Sequence, residues 1–184
     1  MIRRNLLAVA LASAATPALA QFDTLTQKPI VAAVRAGDEE KVRQALLKGE
    51  NANQIDASGR PLLMIAVMDG SVAVVDALLK GYALPDATDR DGYTSLIRAA
   101  ERGDVDIADI LLKRNAKPNA QTRQGVTAMM VAARLGHAEI IRLLLAKKAD
   151  PNIADFTGRT ALTYARLSNR APIEAMLRKA GAKE

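Results

Sequence analysis

The chain of 184 residues has no cysteine, no tryptophan and a single histidine, His137. Without thiols it can form no disulfide, thiolate nucleophile or cysteine zinc site. Hydrolase triads and zinc sites draw on His, Cys or clustered carboxylates at suitable geometry. No H-E-x-x-H, G-x-S-x-G, P-loop or G-x-G-x-x-G is present. Nothing in the chain therefore points to an enzyme, a cofactor or a bound metal. Asp104, Asp106 and Asp109 could be imagined around a cation. Acids favoured by the dipole at a helix start account for them better.

Long apolar stretches are missing too. The run Leu6 to Ala15, after Arg3 and Arg4, is short, and Pro17-Ala18-Leu19-Ala20 follows it. A membrane span needs about 20 apolar residues, so no permanent anchor is expected. A basic start, a short apolar run and an A-x-A site describe a cleavable signal peptide over residues 1–20. Ile2 before the arginine pair favours general secretion over the twin-arginine route. Cleavage leaves residues 21–184, or 184 − 20 = 164 residues, one domain able to bury about 70% of its unfolded surface. The expected location is the bacterial periplasm. Net charge is +6 and falls to +4 when Arg3 and Arg4 leave. A basic balance alone would raise nucleic acid as a partner, but a secreted chain seldom meets it.

What the chain does have is a period. Gly59, Gly92, Gly125 and Gly158 lie 33 residues apart. Gly37, Gly70, Gly103 and Gly136 repeat at the same interval, with Asn169 in the fifth place. So do Asn53, Asp86, Asn119 and Asn152, and Ala33, Ala66, Ala99, Ala132 and Ala165. Self-similarity of this length marks a stacked array, in which neighbours bury apolar faces that no unit can bury alone.

Each unit reads as turn, helix, turn, helix. Asp89-Arg90-Asp91-Gly92 is a turn with a glycine suited to positive φ. Thr94 opens a short helix that Gly103 stops, and Val105 to Leu112 forms a second with a wide apolar face. Paired alanines let helices approach, and Leu78-Leu79, Leu111-Leu112 and Leu144-Leu145 fill between layers. The polar run Asp38-Glu39-Glu40-Lys41, and Arg178 with Pro172, suit capping units at the two ends. The expected fold is an all-α repeat solenoid of about five units, near 26–55, 56–88, 89–121, 122–154 and 155–184.

The third unit, D-R-D-G-Y-T-S-L-I-R-A-A-E-R-G-D-V-D-I-A-D-I-L-L-K-R-N-A-K-P-N, resembles the ankyrin repeat pattern. The fourth, G-V-T-A-M-M-V-A-A-R-L-G-H-A-E-I-I-R-L-L-L-A-K-K-A-D-P-N, does so too. The resemblance spans roughly residues 28–182. The T-P-L-H tetrad of that family is never complete: it reads Pro61-Leu62-Leu63-Met64 and Thr94-Ser95-Leu96-Ile97. His137 falls where the family pattern itself places a histidine, opening a second helix.

The resemblance implies a non-catalytic module that binds another protein through its turn tips and the concave side of the first helices. Carried over position by position, the candidate contacts are Arg60, Arg90, Arg123 and Arg159 at the tips. Tyr93 and Phe156 are aromatics there that the stack does not need for its core. Met68, Asp69, Glu101, Arg102 and Arg134 lie at the ends of the first helices. Aromatic and arginine residues are the usual interface anchors, and a basic strip would steer an acidic partner. Tyr82 and Tyr164 are read as structural, and Met64, Met129, Met130 and Met176 as core fillers. A monomer is expected. Secreted bacterial ankyrin proteins are associated in some cases with protection from oxidative stress, including support of catalase. An exported effector that binds a host protein, and a small-molecule-binding or enzyme accessory protein, stay open as alternatives.

Overall fold

The computed structural model describes residues 28–183; the expected signal peptide, 1–20, lies outside the described residues. Ten helices follow one another among them: α1 (Pro29–Arg35), α2 (Glu39–Leu47), α3 (Leu62–Asp69), α4 (Val72–Lys80), α5 (Ser95–Arg102), α6 (Val105–Lys113), α7 (Ala128–Leu135), α8 (Ala138–Ala146), α9 (Ala161–Leu167) and α10 (Ala171–Lys179). They form five antiparallel pairs, and no strand intervenes among the described residues.

Local chemistry sets the helix ends. Thr94, Thr127 and Thr160 each accept, through the hydroxyl, the backbone N–H three residues on, at 3.3 Å. Asp38 and Asp104 do the same for α2 and α6, at 3.0 and 3.2 Å. Such caps satisfy helix donors that would otherwise be orphaned. Gly70, Gly103 and Gly136 end α3, α5 and α7 in the left-handed region. Asn169 takes that conformation after α9, with φ 54°, as the commonest non-glycine substitute.

The first helices, α1, α3, α5, α7 and α9, pack side by side in one row, and each also packs on its own partner helix. Ala33, Ala66, Ala99, Ala132 and Ala165 are buried along that row. With no side chain beyond Cβ they allow close helix approach. Leu78, Leu111, Leu144 and Leu177 carry the same core into the second row. Met64, Met129 and Met130 are fully buried, whereas Met176 is half-buried at its edge. Units two to five each open on a tight turn closed by one antiparallel bridge: Ile55–Pro61, Thr88–Thr94, Gln121–Thr127 and Ala154–Thr160.

The Asn53, Asp86, Asn119 and Asn152 ladder has a mechanical role. Each side-chain oxygen accepts a backbone N–H from the next unit, 31 residues on: Leu84, Lys117, Asp150 and Lys183, at 2.7, 2.8, 2.9 and 2.7 Å. Short Asx acceptors here staple each loop to its successor.

Candidate binding face

The turn tips are held from within by one side chain per unit. Asp56, Asp89, Thr122 and Asp155 stand at the 33-residue interval. One oxygen of each accepts two backbone N–H groups, two and four residues on. For Asp56 these are Ser58 and Arg60, both at 2.9 Å, and for Asp89 they are Asp91 and Tyr93, at 3.0 and 2.9 Å. Thr122 takes Gln124 and Val126, both at 3.2 Å; Asp155 takes Thr157 and Arg159, at 2.8 and 3.0 Å. This is the Asx- or ST-turn, a local alternative to regular secondary structure.

A carboxylate has a second oxygen, and its partner differs from unit to unit. Asp56 Oδ2 accepts from Arg60 Nε and Nη2 at 3.0 and 2.8 Å, and from Arg35 at 3.3 Å. Asp89 Oδ2 accepts from Arg98 at 3.0 Å. Asp155 Oδ2 accepts from the Tyr164 hydroxyl at 2.7 Å. Thr122 has no second oxygen, and position 131, which matches 98 and 164, is the buried Val131. Polar donors on the first-helix row thus occur where a buried carboxylate needs them.

These contacts shift the titrations. Burial pushes Asp155 up, but hydrogen bonds from the Arg159 backbone and the Thr157 and Tyr164 side chains outweigh it and hold the carboxyl at about 2. Asp56 is likewise lowered: burial opposes, and Arg60 prevails. The Tyr164 hydroxyl is raised, first by burial and then by donating to Asp155. Arg98 is raised: burial opposes the charge, and the bonds to Glu101 and Asp89 outweigh it.

Two concavities open over these turns. One of about 330 Å³, between units two and three, is lined by Ser58, Arg60, Met68, Arg90, Asp91 and Arg98. The other, about 120 Å³, spans units three to five and is lined by Tyr93, Glu101, Val126, Met130, Arg134 and Tyr164.

The candidate residues divide by what already holds them. Arg60 is locked on Asp56. Arg102 donates to the Met68 carbonyl at 2.7 Å, and its guanidinium lies against Gly70, so it ties α5 to the end of α3. Glu101 pairs with Arg98 at 3.0 Å. Arg159 sits beside the Tyr164 hydroxyl. Arg90 lies across Gly59 with its charge exposed. Arg90, Arg123 and Arg134 are exposed and make no ion pair among the described residues. Asp69 is exposed, and Phe156 is 77% exposed above Gly125.

Two aromatics differ from expectation. Tyr93 is not a free tip residue: it packs against the core edge, and the Arg98 guanidinium stacks 3.7 Å from its ring centre, a cation–π contact. Tyr82 is not structural in the sense of being packed; it is 87% exposed. Its position follows a second helix, where the chain needs positive φ, and no glycine stands there. Arg98, the organiser of Asp89, Glu101 and Tyr93, escaped sequence reasoning because an arginine in mid-helix reads as a solvated residue. The signal was its alignment with Tyr164, nine residues after a turn aspartate in both units.

His137 precedes α8 and packs its ring against Gly103. Asp104 caps α6, and Asp109 pairs with Lys113 at 2.6 Å. The described residues hold no group of three His, Cys, Asp or Glu placed to share a metal ion. None of their helices is long and apolar enough to cross a membrane.

A family model described as "Ankyrin repeats (3 copies)" matches residues 30–122 and 116–183. A comparison with curated proteins gives no match. Repeats of this kind generally mediate protein–protein interaction and are typically non-catalytic. With matches that together run from residue 30 to 183, over helix pairs joined by the turns described above, the chain belongs to the ankyrin repeat family.

Proposed function

We propose that this protein is a periplasmic binding module that holds an acidic partner protein on its turn tips and first-helix row. The observation that carries the reading is the row of exposed arginines without an acid of their own: Arg90, Arg123 and Arg134, in units three and four. Arginines already neutralised, such as Arg60, add little to steering. Phe156 supplies an exposed aromatic against the unit-four tip, over Gly125, and arginine with aromatic residues is the usual composition of an interface anchor. The adjoining hollow at Tyr93, Glu101 and Tyr164 gives a side chain of the partner a place to seat. The periplasmic location rests on residues 1–20, and a role in protection from oxidative stress rests on the family resemblance.

The test is capture of partners from a periplasmic extract by the protein, read by mass spectrometry. It is repeated with Arg90→Glu, Arg123→Glu and Arg134→Glu combined. One saturable partner, lost in the triple variant at unchanged far-UV circular dichroism, supports the reading. Binding that survives charge reversal removes the acidic-partner proposal. A deletion strain challenged with peroxide tests the stress role separately.

A further inference from the structure

One row of side chains runs along the turn tips and changes character from unit to unit. The residue after the turn-holding Asp or Thr is Ala57, Arg90, Arg123 and Phe156, at the 33-residue interval. All four are exposed. Arg90 and Arg123 make no ion pair among the described residues. From unit two to unit five the row is small, cation, cation, aromatic.

The backbone sets the spacing of this row. Each tip is two chain segments wide, joined within unit four by the bridge Gln121–Thr127. Neighbouring tips bond to each other as well: the Arg123 N–H donates to the Asp91 carbonyl and the Phe156 N–H to the Gln124 carbonyl, both at 3.0 Å. Two segments at strand spacing advance the row by about 10 Å per unit. The first helices pack side by side, and the usual distance between packed helices, about 8–10 Å, agrees.

A partner segment that meets Arg90, Arg123 and Phe156 together must therefore present a side chain on one face about every 10 Å. Polyproline II does this, since three residues of about 3.1 Å return to the same face after one turn. A β-strand returns after two residues, about 7 Å, and falls out of step. Strand addition also needs an unpaired backbone edge, whereas the Arg123 and Phe156 N–H groups are already bonded to the next tip. A helix in a groove needs an apolar bed, and Phe156 is the one large apolar side chain of this row.

Charge narrows the register. Asp91 is exposed and lies between the two cations, its carbonyl bonded to Arg123. An acid placed between the two arginine contacts would meet this carboxylate and be repelled. Beside Arg90 a hollow of about 330 Å³ gives the first acid room to enter.

We infer that the partner meets the tips through a polyproline II segment with two acids three residues apart and an apolar residue three further on. The acids face Arg90 and Arg123, and the apolar residue faces Phe156. The inference rests on the acidic-partner reading above and adds the conformation and register of the contact. Polyproline II is already a major conformer of unfolded chains, so docking such a segment costs little ordering.

The probes are the synthetic peptide Glu-Pro-Pro-Glu-Pro-Pro-Leu, its reversed sequence, and the isomer Glu-Pro-Glu-Pro-Pro-Pro-Leu, which moves one acid toward Asp91. Each is titrated into isotope-labelled protein and followed by the amide shifts of the tips. The better of the first two is expected to bind about two- to fivefold tighter than the isomer, the worth of one exposed ion pair, and it gives the chain direction. Arg123→Glu should remove that advantage at unchanged far-UV circular dichroism. Lys in place of the acid nearer the leucine should restore binding to this variant. Equal affinity for the isomers overturns the register and leaves the acidic-partner reading standing, because all three peptides carry the same charge. Tighter binding of a helical peptide with acids seven residues apart, about 10.5 Å, overturns the conformation in favour of a helix. Tip amides unmoved by every peptide at millimolar concentration overturn the segment altogether, and capture from the extract then decides the acidic-partner reading by itself.

Discussion

The Tyr164 hydroxyl donates to Asp155 Oδ2 at 2.7 Å, nine residues back along the chain. It completes a carboxylate whose other oxygen already holds the turn through Thr157 and Arg159. Tyr164→Phe keeps the ring and removes only this donor. Hydrogen bonds to charged groups contribute about 1.5–3 kcal/mol, and loss within that range is expected in urea unfolding. An unchanged midpoint would show that water replaces the hydroxyl at no cost.

Acid should act through the same turns. The folded-state pKa values of Asp155 and Asp56 lie below the ordinary 3.8, that of Asp155 at about 2. Depressed carboxyls leave the unfolded chain with more bound protons in that window, so stability rises with pH. Their contribution is full above about pH 4 and is lost as pH falls toward 2. Urea midpoints measured across this window should fall steeply, and Asp155→Asn should flatten the slope. An equal slope in wild type and variant would refute the assignment to Asp155.

Ser95 is buried, and its hydroxyl has no hydrogen-bond partner. Units four and five carry Ala128 and Ala161 at this position. Removing a buried unsatisfied polar group recovers about 1–3 kcal/mol of desolvation penalty. Ser95→Ala should therefore raise the melting temperature, by about 2–4 °C per kcal/mol for a domain of this size. A lower melting temperature would mean that the hydroxyl has a partner in solution.

Gly125 is fixed twice over. Its φ is 81°, and a Cβ built there would meet Phe156 N and the Phe156 ring at 2.9 Å and Asp155 Cα at 3.0 Å. The close approach follows from the bond that joins the two tips, Phe156 N–H to the Gln124 carbonyl at 3.0 Å. Gly125→Ala should cost about 2 kcal/mol or more, beyond the usual 1–2 kcal/mol of left-handed backbone. Gly158→Ala has the same φ range but nothing within 4 Å, so it should cost only the backbone part. Equal losses at both sites would remove the steric argument.

The repeat was legible because its signals are local. A glycine after a helix, a threonine before one and an alanine every 33 residues each act within a few bonds of their own position. Five helix pairs follow from them. Much less of the binding face could be read. Tyr93 reads as a free tip aromatic, yet Arg98 covers its ring. Tyr82 reads as structural, yet it is exposed. The four tip arginines look equivalent in sequence, but Arg60 is neutralised by Asp56 and Arg90 and Arg123 are not.

Period, helix boundaries and the small residues of the first-helix row were thus settled along the chain, where neighbours in sequence are neighbours in space. Which charges stay free was decided across the stack. Arg35 reaches Asp56 over 21 residues and Arg102 reaches the Met68 carbonyl over 34. The physical reason is range: propensity and capping act within one turn of backbone, whereas an ion pair forms only after stacking has set a donor and an acceptor within about 4 Å. A hollow of about 450 Å³ between α2 and α4, lined by Leu47 and Tyr82, belongs to the same class. Leu47 and Tyr82 belong to different units, and only the packing of α2 beside α4 makes them one surface.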